Sequence, residues 1–312
     1  MGSTVRAAVV QAGSVPFDLA RSLEKALDLI ADAARQGAQL VVFPEAFLSA
    51  YPKEASFGAV VGMRRPEGRD LYQRYWESAV DVPGPAVDTL ADAARDANVH
   101  LVIGAIERDT TLYCTALFFS PEQGYLGKHR KLMPTASERL IWGFGDGSTL
   151  GVYDTTVGRI GAVICWENYM PLLRMTMYGK GVQLYCAPTA DDRDSWLPTM
   201  RHIAVEGRCF VLSACQFIKR GAYGADYPSE VDDDPDRVVM RGGSCIVDPF
   251  GTVLAGPCFE GETILTAECD LDQIVKGKYD LDVTGHYARP DVFSMTVDER
   301  AKPAVTRIKE DA

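Results

Sequence analysis

Positive charge is the scarce commodity in this 312-residue chain: 32 Lys and Arg stand against 43 Asp and Glu, a net charge of -11. A surface that neutralises phosphates gathers Lys and Arg, so nucleic acid is excluded as the expected partner, and a small molecule takes its place. Metal-type cysteine pairs are also missing. Eight cysteines occur, at 114, 165, 186, 209, 215, 245, 258 and 269, and no two form C-x-x-C. Zinc is therefore not expected, nor any other metal or cofactor, and several of the cysteines sit in apolar runs that read as buried thiols. The opening residues MGSTVRAAVVQAG have neither a long apolar stretch nor a basic leader. The expectation is a protein without signal peptide or membrane contact, in the reducing cytoplasm. No repeat of fixed period is present. The glycines at 143, 145 and 147 are not followed by Lys-Ser or Lys-Thr, so they form no P-loop and read as a shaped turn.

What is present is apolar material, 47% of the residues, enough for a sizeable core near the upper size of one compact domain. Strand-like runs at 5–12, 40–43 and 100–107 alternate with a helical pattern in which Leu19, Leu23, Leu27 and Ile30 recur. The second half repeats the rhythm: IGAVIC ends at Cys165, VQLYCAP covers 182–188, a helical stretch runs from Trp196 to Gly207, and CFVLSACQF is strand-like again. An α/β layer protein follows. Asp109-Thr110 and Pro249-Phe250-Gly251 leave room only for hairpin turns, so the sheets are expected to be mixed. The acidic run from Glu230 to Asp236 reads as a solvated loop within an insertion over 221–242.

Ligands of α/β sheets gather beyond strand ends, which directs attention to polar residues that follow apolar runs. Glu45 does so in LVVFPEAF, where partial burial would raise its pKa toward general-base work. Read alone, it is more simply a solvated carboxylate. Lys131 ends GYLGKHRK, and strand alternation puts it on the face opposite Arg130, although basic clusters are usually solvated faces. Cys165 ends RIGAVIC before a helical pattern resumes near Pro171, a strand-turn-helix elbow that can present a thiol, although most free cysteines are structural. Together, a thiol, a carboxylate and an ammonium at three strand exits form a coherent set for acyl or imidoyl transfer. His129, His202 and His286 do not flank the thiol in sequence, so a papain-like Cys/His pair is the weaker reading.

FPEAF around Glu45, HRKLMPT around Lys131 and ICWEN around Cys165 resemble the Glu-Lys-Cys signature of the nitrilase superfamily, over about Val5 to Asp291. KLMPTASERLIWGFGDGS at 131–148 and GHYARPDVF at 285–293 resemble its nitrilase branch. The resemblance implies a four-layer αββα sandwich with two mixed sheets, a second active-site carboxylate at Glu138, and assembly into a homo-oligomer. Residues 1–280 would form the hydrolase domain, and 281–312 a tail packed at a subunit interface. Thr135-x-x-Glu138 also reads as a helix capping box.

The expected chemistry starts with Glu45 taking the thiol proton as Cys165 attacks a nitrile carbon, through a thioimidate and then a thioester. Lys131 and the backbone N–H of Trp166 would steady developing negative charge, while Glu138 holds Lys131 and water. Tyr51, Trp142, Trp166 and Trp196 are the aromatic candidates for the substrate pocket. Competing expectations are an amidase, carbamoylase or cyanide-hydrolysing relative, and a catalytically silent interaction module.

Overall fold

The computed structural model describes residues 4–306. Two mixed sheets are stacked between helical layers. In the first, the strand order is Thr263–Asp270, Thr4–Gln11, Leu40–Val42, His100–Arg108, Leu112–Ser120 and Gly124–Arg130, with Val80–Asp81 added beside His100–Arg108. Thr4–Gln11, Leu40–Val42 and His100–Arg108 run parallel, and the flanking strands antiparallel. In the second, the order is Val253–Ala255, Cys245–Val247, Phe210–Ser213, Leu184–Cys186, Gly158–Ala162 and Val152–Thr155, with three parallel strands at its centre.

Alternation along the strands decides the layers. Val5, Ala7 and Val9 face inward, where they join Ile160, Ala162, Leu184 and Leu212 of the other sheet in one buried cluster. Ala8 and Val10 face outward onto helices Leu19–Arg35 and Pro85–Ala97, through Ala26, Ile30, Leu90 and Ala94. Val163, Tyr185 and Val211 likewise cover helices Pro171–Gly179 and Trp196–Gly207, through Met177, Met200 and Ile203. This is the four-layer αββα arrangement. The helix Leu19–Arg35 buries Ser22, Ala26, Ile30 and Ala33 at helical spacing, and Asp18 caps it by accepting the Arg21 N–H.

Both expected hairpins are present, joining His100–Arg108 to Leu112–Ser120 and Cys245–Val247 to Val253–Ala255. CFVLSACQF differs: only Phe210–Ser213 stays in the large sheet, and Phe217–Lys219 pairs with Val238–Arg241 in a separate ribbon. Between them the chain turns to tie Cys215 N–H to Ser244 Oγ and to lend the Gln216 amide to the Glu45 carbonyl.

The insertion at 221–242 is more than a solvated loop. Its acids are exposed, but Tyr223 and Tyr227 are buried, donating to the backbone carbonyls of Tyr51 and Lys53 at 2.7 and 2.6 Å. Arg237 grips Glu54 with both arms of its guanidinium, at 2.8 and 2.7 Å. The insertion is thus a brace on the segment carrying Tyr51 and Lys53.

Candidate active site

Glu45 lies on a turn after Leu40–Val42, with Ala46 at φ +51°. This turn presses on the next strand so closely that a Cβ at Gly104 would stand 2.2 Å from the Pro44 carbonyl oxygen, so only glycine fits there. Lys131 directly follows Gly124–Arg130, and alternation separates it from Arg130 as expected. Arg130 reaches Glu107 and Asp109 on one side, while Lys131 turns into the space between the sheets.

Cys165 leaves the second sheet just after Gly158–Ala162, at φ +51°, a strained conformation for a non-glycine residue that marks a sharp elbow. Its N–H donates to the Pro188 carbonyl at 2.9 Å, and the Asn168 amide donates to the carbonyls of Val163 and Cys165. These bonds over-determine the elbow.

The three side chains converge. Lys131 Nζ donates to Glu45 Oε1 at 2.6 Å and to Glu138 Oε2 at 2.8 Å, with Lys131 and Glu45 fully enclosed. Tyr51 Oη donates to the other Glu138 oxygen at 2.6 Å, and Thr135 N–H to Glu138 Oε2 at 2.6 Å. Glu138 therefore serves as helix cap and lysine partner at once. The Thr189 hydroxyl donates to Cys165 Sγ at 3.2 Å, and the thiol lies near enough to Glu45 to pull its carboxyl pKa downward. A cavity of about 190 Å³, lined by Tyr51, Thr135, Glu138, Cys165 and Trp166, opens beside the sulfur.

Burial governs the electrostatics. It pushes the Cys165 thiol well above its ordinary range, helped by the Glu45 charge and opposed by Lys131, so the resting group is a thiol. Burial also raises the Glu45 carboxyl, and the Lys131 charge pulls against it. For Lys131, burial favours the neutral amine, but the carboxylates of Glu45 and Glu138 outweigh it and hold the ammonium well above its usual range. The Tyr51 phenol is pushed up by burial and by Glu138, which keeps it a donor.

A carbon-nitrogen hydrolase profile matches residues 6–279. The chain belongs to the carbon-nitrogen hydrolase family. A nitrilase of Bradyrhizobium diazoefficiens is 62% identical, with 98% of this chain and 96% of that protein aligned. An aliphatic nitrilase of Sinorhizobium fredii is 60% identical over 96% and 97%. A bifunctional nitrilase/nitrile hydratase of Nicotiana tabacum is 55% identical over 97% and 88%. Among solved structures, Nit3 of Saccharomyces cerevisiae, from branch 10 of the nitrilase superfamily, matches in fold with a TM-score of 0.70 at 24% identity, covering 92% of this chain and 97% of that one.

Within this carbon-nitrogen hydrolase, the four aromatic candidates divide. Tyr51 and Trp166 line the cavity beside Cys165. Trp142 does not: it is buried beneath Lys131, whose Nζ lies 5.4 Å from the ring centroid, and its N–H donates to Tyr75. Trp196 does not either, because its position at the start of helix Trp196–Gly207 turns the ring into the outer layer, where its N–H donates to Ser213. Trp142 meets the Tyr51 ring edge-on from behind, at 5.8 Å between centroids, whereas Trp196 meets the ring of Tyr169. His129 is buried and faces Glu167 at 3.0 Å, and His202 and His286 are exposed.

Sequence reasoning passed over Cys114, Thr189 and Glu167. Glu167 and Asn168 stood inside the CWEN string, which was available as a signal. Thr189 also had one, since it follows the strand Leu184–Cys186. Cys114 had none, because it reads as one more apolar residue of a buried strand.

Proposed function

We propose that this enzyme hydrolyses small organic nitriles to the carboxylic acid and ammonia, with Cys165 as nucleophile, Glu45 as general base and Lys131 as the charge-stabilising cation. The observation that carries this reading is the Lys131 ammonium clasped between Glu45 and Glu138 in the enclosed site that also holds Cys165. The nitrilase names of relatives at 55 to 62% identity supply the substrate class.

Because the thiol is protonated at rest, attack requires a base at hand. Glu45 takes the proton as sulfur bonds to the nitrile carbon, and the proton passes to the nitrogen, giving a thioimidate. Water adds to the thioimidate carbon with its proton taken by Glu45. Glu45 passes that proton to the nitrogen, the hydroxyl proton follows as the carbonyl forms and ammonia leaves, and a second water, its proton taken by Glu45 and handed to the sulfur, cleaves the thioester to acid and free thiol. Lys131 and the Trp166 N–H stabilise the negative charge that gathers at each addition. Glu138, fixed by Tyr51 and Thr135, keeps the ammonium in place. Trp142 supports Tyr51 from behind, and Tyr51 and Trp166 meet the substrate.

The cavity of about 190 Å³ suits a short chain, in keeping with the aliphatic nitrilase relative. The tetrahedral adduct can also expel the sulfur and release the amide, and the tobacco relative is named for both outcomes. Assaying acid, amide and ammonia from short aliphatic nitriles tests the reading, with Cys165→Ala as control. Continued ammonia release by a well-folded Cys165→Ala variant defeats it.

The tail from 281 onward presents Tyr287 and Phe293 at 62% and 77% exposure, too much ring surface to leave in water, which favours a homo-oligomer with the tail at its interface. Residues 307–312 of that tail lie outside the described residues. A reducing, cytoplasmic setting suits seven buried free cysteines and one half-buried. Among the described residues, no helix is long and apolar enough to cross a membrane.

A further inference from the structure

The two oxygens of Glu45 are treated differently by their surroundings. Oε1 accepts from Lys131 Nζ at 2.6 Å and also from the Cys114 thiol at 3.4 Å. Oε2, fully buried, has no hydrogen-bond partner among the described residues. A buried carboxylate oxygen without a donor is costly, and such a cost is tolerated where the atom has work to do.

Cys114 is attached to the site twice. Its side chain touches the carboxylate, and its carbonyl accepts the Lys131 N–H at 2.8 Å, continuing the ladder between Leu112–Ser120 and Gly124–Arg130 by one more bond. One residue of Leu112–Ser120 thus holds the lysine by its backbone and the glutamate by its thiol. This sulfur is 1% exposed and free, packed in the core between the two sheets.

We infer that Cys114 is a positioning residue that, with Lys131, fixes Oε1 of Glu45 as the anchored oxygen and leaves Oε2 as the one that takes the Cys165 proton and returns it. Two donors on Oε1 set the rotation of the carboxylate, so Oε2 is aimed by exclusion. The S–H donor favours the ionised carboxylate, partly offsetting the burial that disfavours it. This inference rests on the reading of Glu45 as general base.

Cys114→Val and Cys114→Thr test it, because the two replacements make the same steric change and differ by one hydroxyl donor. The readout is kcat/KM against pH for butyronitrile, whose acid limb reports the base of the free enzyme. With the donor lost, Cys114→Val should show its acid limb displaced to higher pH than Cys114→Thr by about half a unit or more, with a lower rate on the acidic side. Superimposed limbs overturn the inference. If the branched pair does not fold, Cys114→Ala and Cys114→Ser make the same comparison with smaller side chains, and coincident limbs there overturn it equally. Glu45→Gln separates this result from the parent reading. If it keeps turning over nitrile, the base assignment itself has failed; if it is inactive while the Val and Thr limbs coincide, only the role of Cys114 has failed.

Discussion

The Glu167 carboxylate accepts the Leu132 N–H at 2.6 Å. Its other oxygen accepts the Ile164 N–H at 3.0 Å and faces His129 Nε2 at the same distance. One buried side chain, two places after Cys165, therefore fixes the residue after Lys131, the histidine two places before it and the residue before the nucleophile. Since Lys131 and Cys165 belong to opposite sheets, Glu167 sets the register between them.

Glu167→Gln keeps the size but offers only one accepting oxygen, so the amide nitrogen must face one of the two backbone N–H groups. The ammonium and the sulfur should then shift relative to each other. We expect kcat to fall about 100-fold while KM changes little, because alignment in the transition state is lost more than binding. Steady-state kinetics on a variant with a native circular dichroism spectrum checks this, and an unchanged kcat removes Glu167 from the alignment.

The pH dependence of turnover follows from directions that burial imposes. Glu45 must be ionised to act, and its carboxyl is raised above the ordinary value of 4.5, so the acid limb should lie above that of a free glutamate. The Cys165 thiol and the Lys131 ammonium are both held above their ordinary ranges, so the plateau should extend far to the alkaline side. The limbs belong to the coupled cluster rather than to single residues. A rate that has no acid limb and climbs steadily with pH would instead mean that free thiolate does the chemistry.

Much of this was legible in the residues, for a physical reason. Period-2 alternation separates Lys131 from Arg130, and strand exits place Glu45 and Cys165, so local rules carry those assignments. Trp142 and Trp196 were not separable from Tyr51 and Trp166, because an aromatic ring suits a cavity wall and a core equally well. Only the packing of Trp196 into the outer helical layer decides its side. The brace at 221–242 was hidden in the same way: its acidic composition describes its solvent face, while Tyr223 and Tyr227 act from beneath.

Arg237→Ala tests that brace. Arg237 lowers the Glu54 carboxyl from its ordinary range, chiefly through its hydrogen bonds, and so ties the insertion to the segment that carries Tyr51 and Lys53. The pair is partly solvated, so the effect on global stability should be small. The wall of the cavity should loosen instead. We expect KM for butyronitrile to rise about 3- to 10-fold with kcat retained within a few-fold, as for lost uniform binding. An unchanged KM would show that the brace does not reach the cavity.

Gly104→Ala should act on the fold before it acts on the chemistry. The new methyl would meet the Pro44 carbonyl oxygen at 2.2 Å, the Ala46 nitrogen at 2.7 Å and the Glu45 Cα at 2.8 Å, all backbone atoms that cannot swing aside as a side chain can. Leu48 N–H donates to the Gly104 carbonyl and Ile106 N–H to the Leu48 carbonyl, so the turn is held against the strand and relief requires breaking those bonds. Overpacking of this kind costs about 2 kcal/mol or more, and a drop of roughly 5 °C in Tm is expected. Activity below that temperature should fall as well, since the displaced turn carries Glu45 away from Lys131 and Cys165. A Tm equal to that of the unmodified protein, measured by calorimetry, would mean that the Glu45 turn lies farther from the strand than its contacts require.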